Sequence, residues 1–371
     1  MKRLIFALAL VASLASCGRE TVYVRETIPL VNGILSDTDS DTYRFLSGID
    51  RLDSRASVYV VGSRERSIRL CERMMHYDSR DNADGSMLTD ALPDFSGEKI
   101  SVILDLANEP YGQKIDSGDE DYLREVTVRN CLMALDTLCY LSPYDQEGLG
   151  SKSPAKLIIL SSSYGDAFGL FDADTLLRST GCAVKILSPL SAMLSRLFAS
   201  HEGSLNIGII SNRGVLASGI YESVFADAAA KHGRAMSECV VYSTDDGGDA
   251  LLSFLDNYLE DGNTRPLDAI LVDDFSIDVA AMEKTLARVT SVMSEESLTY
   301  KNIISADFEV LDGETAVIEE SLDILRARNA FSHNIHYPKA EWFATAAVPE
   351  QRTDIEGGYM LIQYTQDDVQ K

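Results

Sequence analysis

The sequence predicts an α/β chain built as two doubly wound parallel-sheet lobes. Three observations lead there. Short, near-continuous apolar runs alternate with stretches of helical periodicity, the pattern of parallel strands covered on both faces. That alternation occurs twice, over 56–190 and again over 205–310. The chain has 371 residues and 45% hydrophobic content, enough for two medium cores.

The elements follow in order. SVYVVG (57–62) is β-branched, ends on Gly62 and reads as a strand. RSIRLCERMMHY (66–77) reads as an amphipathic helix. KISVILDL (99–106) is the second strand, and EDYLREVTVRNCLMALDTLCYL (120–141) a long helix. KLIILSS (156–162) and AVKILSP (183–189) are strands around the helix FDADTLLRST (171–180), which Gly181 stops. LSAMLSRLFASH (190–201) reads as the helix that crosses to the second lobe.

There the unit repeats. NIGIISN (206–212), CVVYST (239–244), DAILVDD (268–274) and NIISADFEVL (302–311) are strands. The helices between them are 216–233, capped by Gly233, then 249–261 and 278–294. A helix at 316–331 and a late strand at 359–364 are too few for a third lobe and are expected to pack back on the first two. The expected division is a signal at 1–16, a tether at 17–55, lobes at 56–204 and 205–315, and a returning segment at 316–371. Loop-rich spacers fall at 78–98 and 142–155.

Net charge is −25, so the surface repels phosphate backbones and nucleic acid is excluded as a partner. Loss of the two cations Lys2 and Arg3 with the signal would take −25 to −27. Cys71, Cys131, Cys139, Cys182 and Cys239 form no C-x-x-C pair and read as buried thiols. On one continuous helix Cys131 and Cys139 would sit about 12 Å apart, too far to bridge. Asp37, Asp39 and Asp41 have the spacing of a calcium loop. Thr42 and Gly48 stand where its glycine and glutamate belong, so an acidic tether is the better reading. His333 and His336 are three apart, but Pro338 argues that no helix carries them, and no metal is expected.

The N-terminus carries Lys2 and Arg3, the apolar run LIFALALVA (4–12), then Leu14-Ala15-Ser16-Cys17. Those four residues resemble the bacterial lipobox. The resemblance implies cleavage before Cys17, lipidation of its thiol and an envelope location on a membrane. Gly18 is similar to the outer-membrane sorting class.

Two further resemblances concern the body of the chain. KLIILSSSYGDAF (156–168), GCAVKILSP (181–189), LNIGIISN (205–212) and LDAILVDDFSIDVAAMEKTL (267–286) together resemble the type I periplasmic-binding-protein fold. That family implies two lobes closing on a small ligand and handing it to a membrane permease or sensor. GIISNRGVLASGIY (208–221) also resembles the second half of aspartate/glutamate racemases. Those enzymes need a cysteine after a strand in each lobe. Ser162 and Asp273 occupy the matching places, so thiol chemistry is not expected.

Ligands in open parallel sheets sit at the carboxyl ends of strands, where helix N-termini converge. That rule selects Ser63 and Arg64, then Asp105 with Asn108, then Ser162, Ser163, Tyr164 and Asp166. In the second lobe it selects Asn212 and Arg213, Thr244 and Asp245, Asp273 and Asp274, and Asp307. Such hydroxyls and carboxylates suit a sugar, nucleoside or amino acid, and Arg64 or Arg213 could clamp a carboxylate. The same residue types also favour turns and N-caps for local reasons. Trp342 with Phe343 reads as a core or hinge anchor.

No phosphate loop, nucleophile elbow or H-E-x-x-H is present. The expectation is therefore a lipid-anchored solute-binding protein closing on a small polar ligand, without a cofactor. The alternatives are a small-molecule enzyme of the isomerase or racemase kind without cysteine chemistry, and a structural envelope lipoprotein with a filled cleft.

Overall fold

β1 (Ser57–Gly62) is buried at every residue, as its apolar sequence demands. It lies at the middle of the first sheet of the computed structural model. The structure describes residues 25–82, 85–211, 213–234, 236–243, 249–291, 295–334, 336–350 and 358–365. β2 (Lys99–Leu104) and β3 (Ala155–Leu160) flank β1, both parallel, with Val60 opposite Val102 and Ile159. β4 (Lys185–Leu187) continues beyond β3.

The connecting helices cover both faces of the sheet. α3 (Arg64–His76) leads from β1 towards β2, and α5 (Glu120–Leu135) follows the short α4 (Gly112–Asp116). A π-helical turn at Gly165–Gly169 and then α6 (Leu170–Thr180) lead from β3 to β4. Gly181 closes α6 in a left-handed cap. β1 and β3 are thus neighbours whose outgoing connections run in opposite directions, which makes the gap between their tips a topological switch point.

α7 (Pro189–Ser200) carries the chain to the second sheet. Pro189 at its start and the reciprocal Ser188–Ser191 capping bonds fix where it begins. The second sheet runs β6 (Glu238–Tyr242), β5 (Asn206–Ile210), β7 (Leu267–Val272), β8 (Ile304–Asp312), all parallel. Its switch point lies between β5 and β7. The connecting helices include α8 (Arg213–Leu216), α9 (Ile220–Lys231), α10 (Ala250–Glu260), α11 (Val279–Val289) and α12 (Glu295–Tyr300). Asp249 and Asp278 cap α10 and α11.

α13 (Gly313–Ala327), capped by Asp312, packs along α7 and returns the chain to the first sheet. There β9 (Lys339–Ala347) pairs parallel to β2, and β10 (Tyr359–Tyr364) antiparallel to β9. One hydrophobic core spans both sheets: Val60, Ile159, Leu190, Leu197, Ile207, Leu271 and Leu322 belong to the same cluster. The fold is therefore α/β with two parallel-sheet lobes that share a core.

Several expectations change. The long helix ends at Leu135, and Asp136 caps it in an extended conformation, so Cys139 is not on it. The helix read over 216–233 is two, broken at Gly219, whose φ of 67° is left-handed. The strand β9 was not read, and Trp342 and Phe343 lie within it. α1 (Pro29–Ser36) and α2 (Asp41–Ser47) pack against α6 with Ile28, Val31 and Leu46 buried, so residues from Arg25 onward are no free tether. Asp39 there pairs with Arg44. The segment holding His333 and His336 is not helical. Cys17 and residues 1–16, where a signal is expected, lie outside the described residues. No helix among the described residues is long and apolar enough to cross a membrane.

Candidate functional site

The two switch points meet at the lobe interface, and a cleft of about 990 Å³ opens beside the first. Its walls are the segments after β1, β2 and β3, with one edge from the second lobe. Ser63, Arg64, Arg66 and Arg69 come from the start of α3, and Glu109 to Gly112 from the segment after β2. Ser162, Ser163 and Tyr164 follow β3, and Asp274, Phe275 and Ser276 follow β7.

Gly62 permits this arrangement. A Cβ there would fall 2.6 Å from Ser161 Oγ and 2.9 Å from the Ser162 amide nitrogen, so the tips of β1 and β3 approach only because it is absent. Ser63 then caps α3 with its backbone but makes no side-chain cap bond. The Arg64 amide donates instead to Glu109 Oε1 at 3.1 Å, placing that carboxylate on the helix terminus. Burial raises the Glu109 carboxyl above its ordinary range. The bond from Arg64 opposes that shift, and the neighbouring Asp105 adds to it.

α3 breaks a local rule at this point. Three arginines crowd the first turns of a helix whose positive dipole end disfavours cations. They line the cleft with a half-buried acid and the Ser162 hydroxyl, whose residue is 3% exposed, although Arg66 is turned to Asp273 and Arg69 Nε donates to Glu314 Oε1 at 3.0 Å. Among the described residues that hydroxyl has no hydrogen-bond partner. The arrangement offers guanidinium donors and helix amides to an anion, beside one carboxyl held partly out of water.

The second switch point is closed. Arg66 reaches across from α3, donating through Nε to Ser161 O at 2.5 Å and through Nη1 to Asp273 O at 2.6 Å. Its Nη2 pairs with Asp273 Oδ1 at 2.7 Å. Its guanidinium stacks 3.7 Å from the Phe275 ring centroid. Tyr221 of α9 donates to Asp273 Oδ2 at 2.6 Å, and Ser211 at the tip of β5 lies 2.5 Å from the Tyr221 hydroxyl. Asp273 itself is fully buried. Asp166, also buried, accepts from the Leu190 amide at 3.0 Å. Its carboxyl is pushed well up by burial and then by the Asp273 charge.

The structure brings Ser63, Arg64, Ser162, Ser163, Tyr164 and Asp274 together on one cleft. It removes others from it. Asp105 is fully buried and accepts from the Tyr111 hydroxyl at 2.7 Å, Asn108 Nδ2 at 2.5 Å and Thr345 Oγ1 at 2.7 Å. It is a hub behind the site rather than a ligand contact. Asp273 is consumed by the clamp. Arg213 lies in another hollow, with Val241, Tyr242 and Asn257, and its Nε donates to Ser243 Oγ at 3.2 Å. Asp307 is within β8, not at its tip, because that strand continues to Asp312. Asn212, Thr244 and Asp245 lie outside the described residues.

Sequence reasoning missed Glu109, Arg66, Arg69, Tyr111 and Phe275. The run RERSIR at a predicted helix start was the available signal, since its charge opposes the dipole. No described cysteine lines the cleft. Cys71 and Cys131 are buried, and burial pushes both thiols up to about 12. Among the described residues no His, Cys, Asp and Glu group has the geometry of a metal site.

No family model matches the sequence, and no curated protein matches it. Solved structures with a similar fold include three glutamate racemases. One, from Francisella tularensis subsp. tularensis SCHU S4 in complex with D-glutamate, is 14% identical over 80% of this chain and 90% of that one, with a TM-score of 0.46. Another, from Bacillus anthracis, is 14% identical over 80% and 90%, with a TM-score of 0.44. The third, from Thermus thermophilus in complex with beta-chloro-D-alanine, is 13% identical over 81% and 91%, with a TM-score of 0.46.

The expectation of a solute-binding protein is corrected. The similar structures reported above are glutamate racemases rather than solute-binding proteins. The lobes also share a continuous core and are bolted by Arg66, so opening them would expose Leu190, Leu197 and Leu271 and strip a buried ion pair. The expected two-lobe closure for transport does not fit that construction. The cleft is open and carries charged and hydroxyl side chains along its walls, which also disagrees with a crevice plugged by apolar side chains.

Proposed function

We propose that this chain is a small-molecule enzyme that performs proton transfer on a small organic anion, without thiol chemistry. The observation that carries the reading is Glu109. Its carboxyl is raised by burial, sits on the α3 terminus and shares one cleft with Arg64, Arg69 and Ser162. A raised carboxyl next to anion-binding groups is suited to take a proton from a bound substrate and return it. Arg64, Arg69 and the α3 amides hold the anion, and Ser162 donates a further hydrogen bond.

The chemistry is one-sided. Transfer between opposite faces needs a second free group across the cleft, and Asp273 is paired with Arg66. A single base on one face supports exchange of an acidic C–H proton or its relocation. Amino acids and similarly small carboxylates are the class to test first, and two of the racemases above were solved with D-glutamate and beta-chloro-D-alanine.

The test is deuterium wash-in from D2O at the α-carbon of D- and L-amino acids, followed by proton NMR. The reading expects exchange with at least one small carboxylate, and a loss of roughly 10² to 10⁴ in Glu109→Gln. Exchange that survives Glu109→Gln, or a screen in which no small carboxylate binds or exchanges, would overturn it. The reading also places the protein in the cell envelope through a lipid on Cys17. Radiolabelled palmitate incorporated by the wild type and not by Cys17→Ala supports that, and equal labelling of both contradicts it.

A further inference from the structure

Behind the cleft, between β1, β3 and α5, lies a hole of about 20 Å³ lined by Asn130, Ser162, Thr127, Tyr111 and Tyr164. Ser162 and the two tyrosines also line the cleft, so these residues form the wall between the two spaces. A hole of this volume has room for one water, which needs at least two polar partners.

Two such partners are present. Asn130 is 2% exposed, and its Oδ1 makes no hydrogen bond although it is fully enclosed. The orientation of that amide is set by its other end. The Asn130 side chain lowers the Asp105 carboxyl, the effect of a nearby NH2 group and not of a carbonyl, so the oxygen is the atom left over. A buried carbonyl without a partner costs about 1–3 kcal/mol. The second partner is Ser162 Oγ, 97% buried by residue and without a partner among the described residues.

We propose that this hole is a site for one ordered water that bridges Asn130 Oδ1 and Ser162 Oγ and makes Ser162 a dedicated donor into the cleft. The polarity is fixed at one end, because Asn130 Oδ1 only accepts and so takes one hydrogen of the water. The other hydrogen is assigned to Ser162 Oγ rather than the reverse, which leaves the Ser162 O–H to donate towards the cleft. Asp105 anchors the far end by holding the Asn130 amide, and is itself held by Tyr111, Asn108 and Thr345. Asn130 is thus a positioning residue that acts on the ligand through water and Ser162. The water site stands on geometry alone, whereas the donor role rests on the reading that the cleft takes an anion.

High-resolution crystal structures of the wild type and Asn130→Leu test the site. The expected result is one water within hydrogen-bond reach of Asn130 Oδ1 and Ser162 Oγ in the wild type, and none in Asn130→Leu. Side-chain amide-to-water NOEs at Asn130 give the same answer in solution. Titration with D-glutamate and L-glutamate tests the donor role. Ser162→Ala and Asn130→Leu should each weaken binding roughly tenfold, and the double variant no further. A dry hole, a water that touches only one of the two residues, or additive losses in the double variant would overturn the inference. A bridging water in a protein that binds and exchanges no small carboxylate supports the site and overturns the proposed function alone.

Discussion

The two lobes are wound alike, yet the tips of their central strands end in opposite states. Beyond β1 and β3 the chain turns away and leaves Ser63, Ser162 and the start of α3 around a cleft of about 990 Å³. Beyond β5 and β7 the same topological position is filled by Ser211, Tyr221 and Asp273, all buried and bonded in sequence to Arg66. Topology says where a site can form in such a sheet. The side chains decide whether it stays open. Here one lobe keeps the crevice, and the other supplies the bolt that holds the first in place.

Breaking the bolt should have the largest effect. Asp273 is 0% exposed and the Arg66 side chain 16%, so either truncation leaves a buried charge without its partner. Arg66→Ala is expected to lose about 3–5 kcal/mol in urea unfolding. A loss below about 1 kcal/mol would mean that the lobes are not held there. Next in size is Gly62→Ala, which forces a methyl against Ser161 and the Ser162 backbone. About 1–3 kcal/mol of stability should go with it, together with ligand-induced thermal shifts, because the cleft wall moves.

A pH series sharpens the same contrast. The Asp166 carboxyl is raised by burial, so the native state favours its protonated form. Its contribution is complete below the ordinary aspartate value and is lost as pH climbs through the raised one. The urea midpoint of the wild type should therefore fall as pH rises above about 4, with Asp166→Asn showing a flatter profile. Parallel profiles for the two proteins would contradict this. The smallest expected effect is that of thiol alkylation. Iodoacetamide on the native protein should leave cleft binding and exchange unchanged, because no described cysteine lines the cleft and burial holds the Cys239 thiol at about 12.

The strands of both lobes were legible because apolar runs such as SVYVVG and NIGII are buried along their whole length. β9 was not. Its burial is mixed, it carries Lys339 and Glu341, and its partner β2 lies some 240 residues away, joined in part by the Lys99–Glu341 pair. The rule that ligands gather at strand tips found Ser63, Arg64 and the Ser162–Tyr164 run. It could not tell a tip residue that faces the cleft from one that turns inward. Asp105 turns inward because Thr345 donates to it from β9, and Asp273 because Arg66 and Tyr221 reach it from other elements. Glu109 escaped because it sits five residues past the end of β2, where only the folded loop lays it on α3.

The central claim is that ligand binds at the first lobe's tip while the second lobe's tip stays locked. Peptide-level hydrogen exchange, with and without the amino acid that gives the largest thermal shift, tests it most directly. The account predicts added protection at 63–69, 109–112 and 162–164, with 207–221 and 267–273 unchanged. Protection confined to the second lobe, or shared equally by both tips, would contradict it.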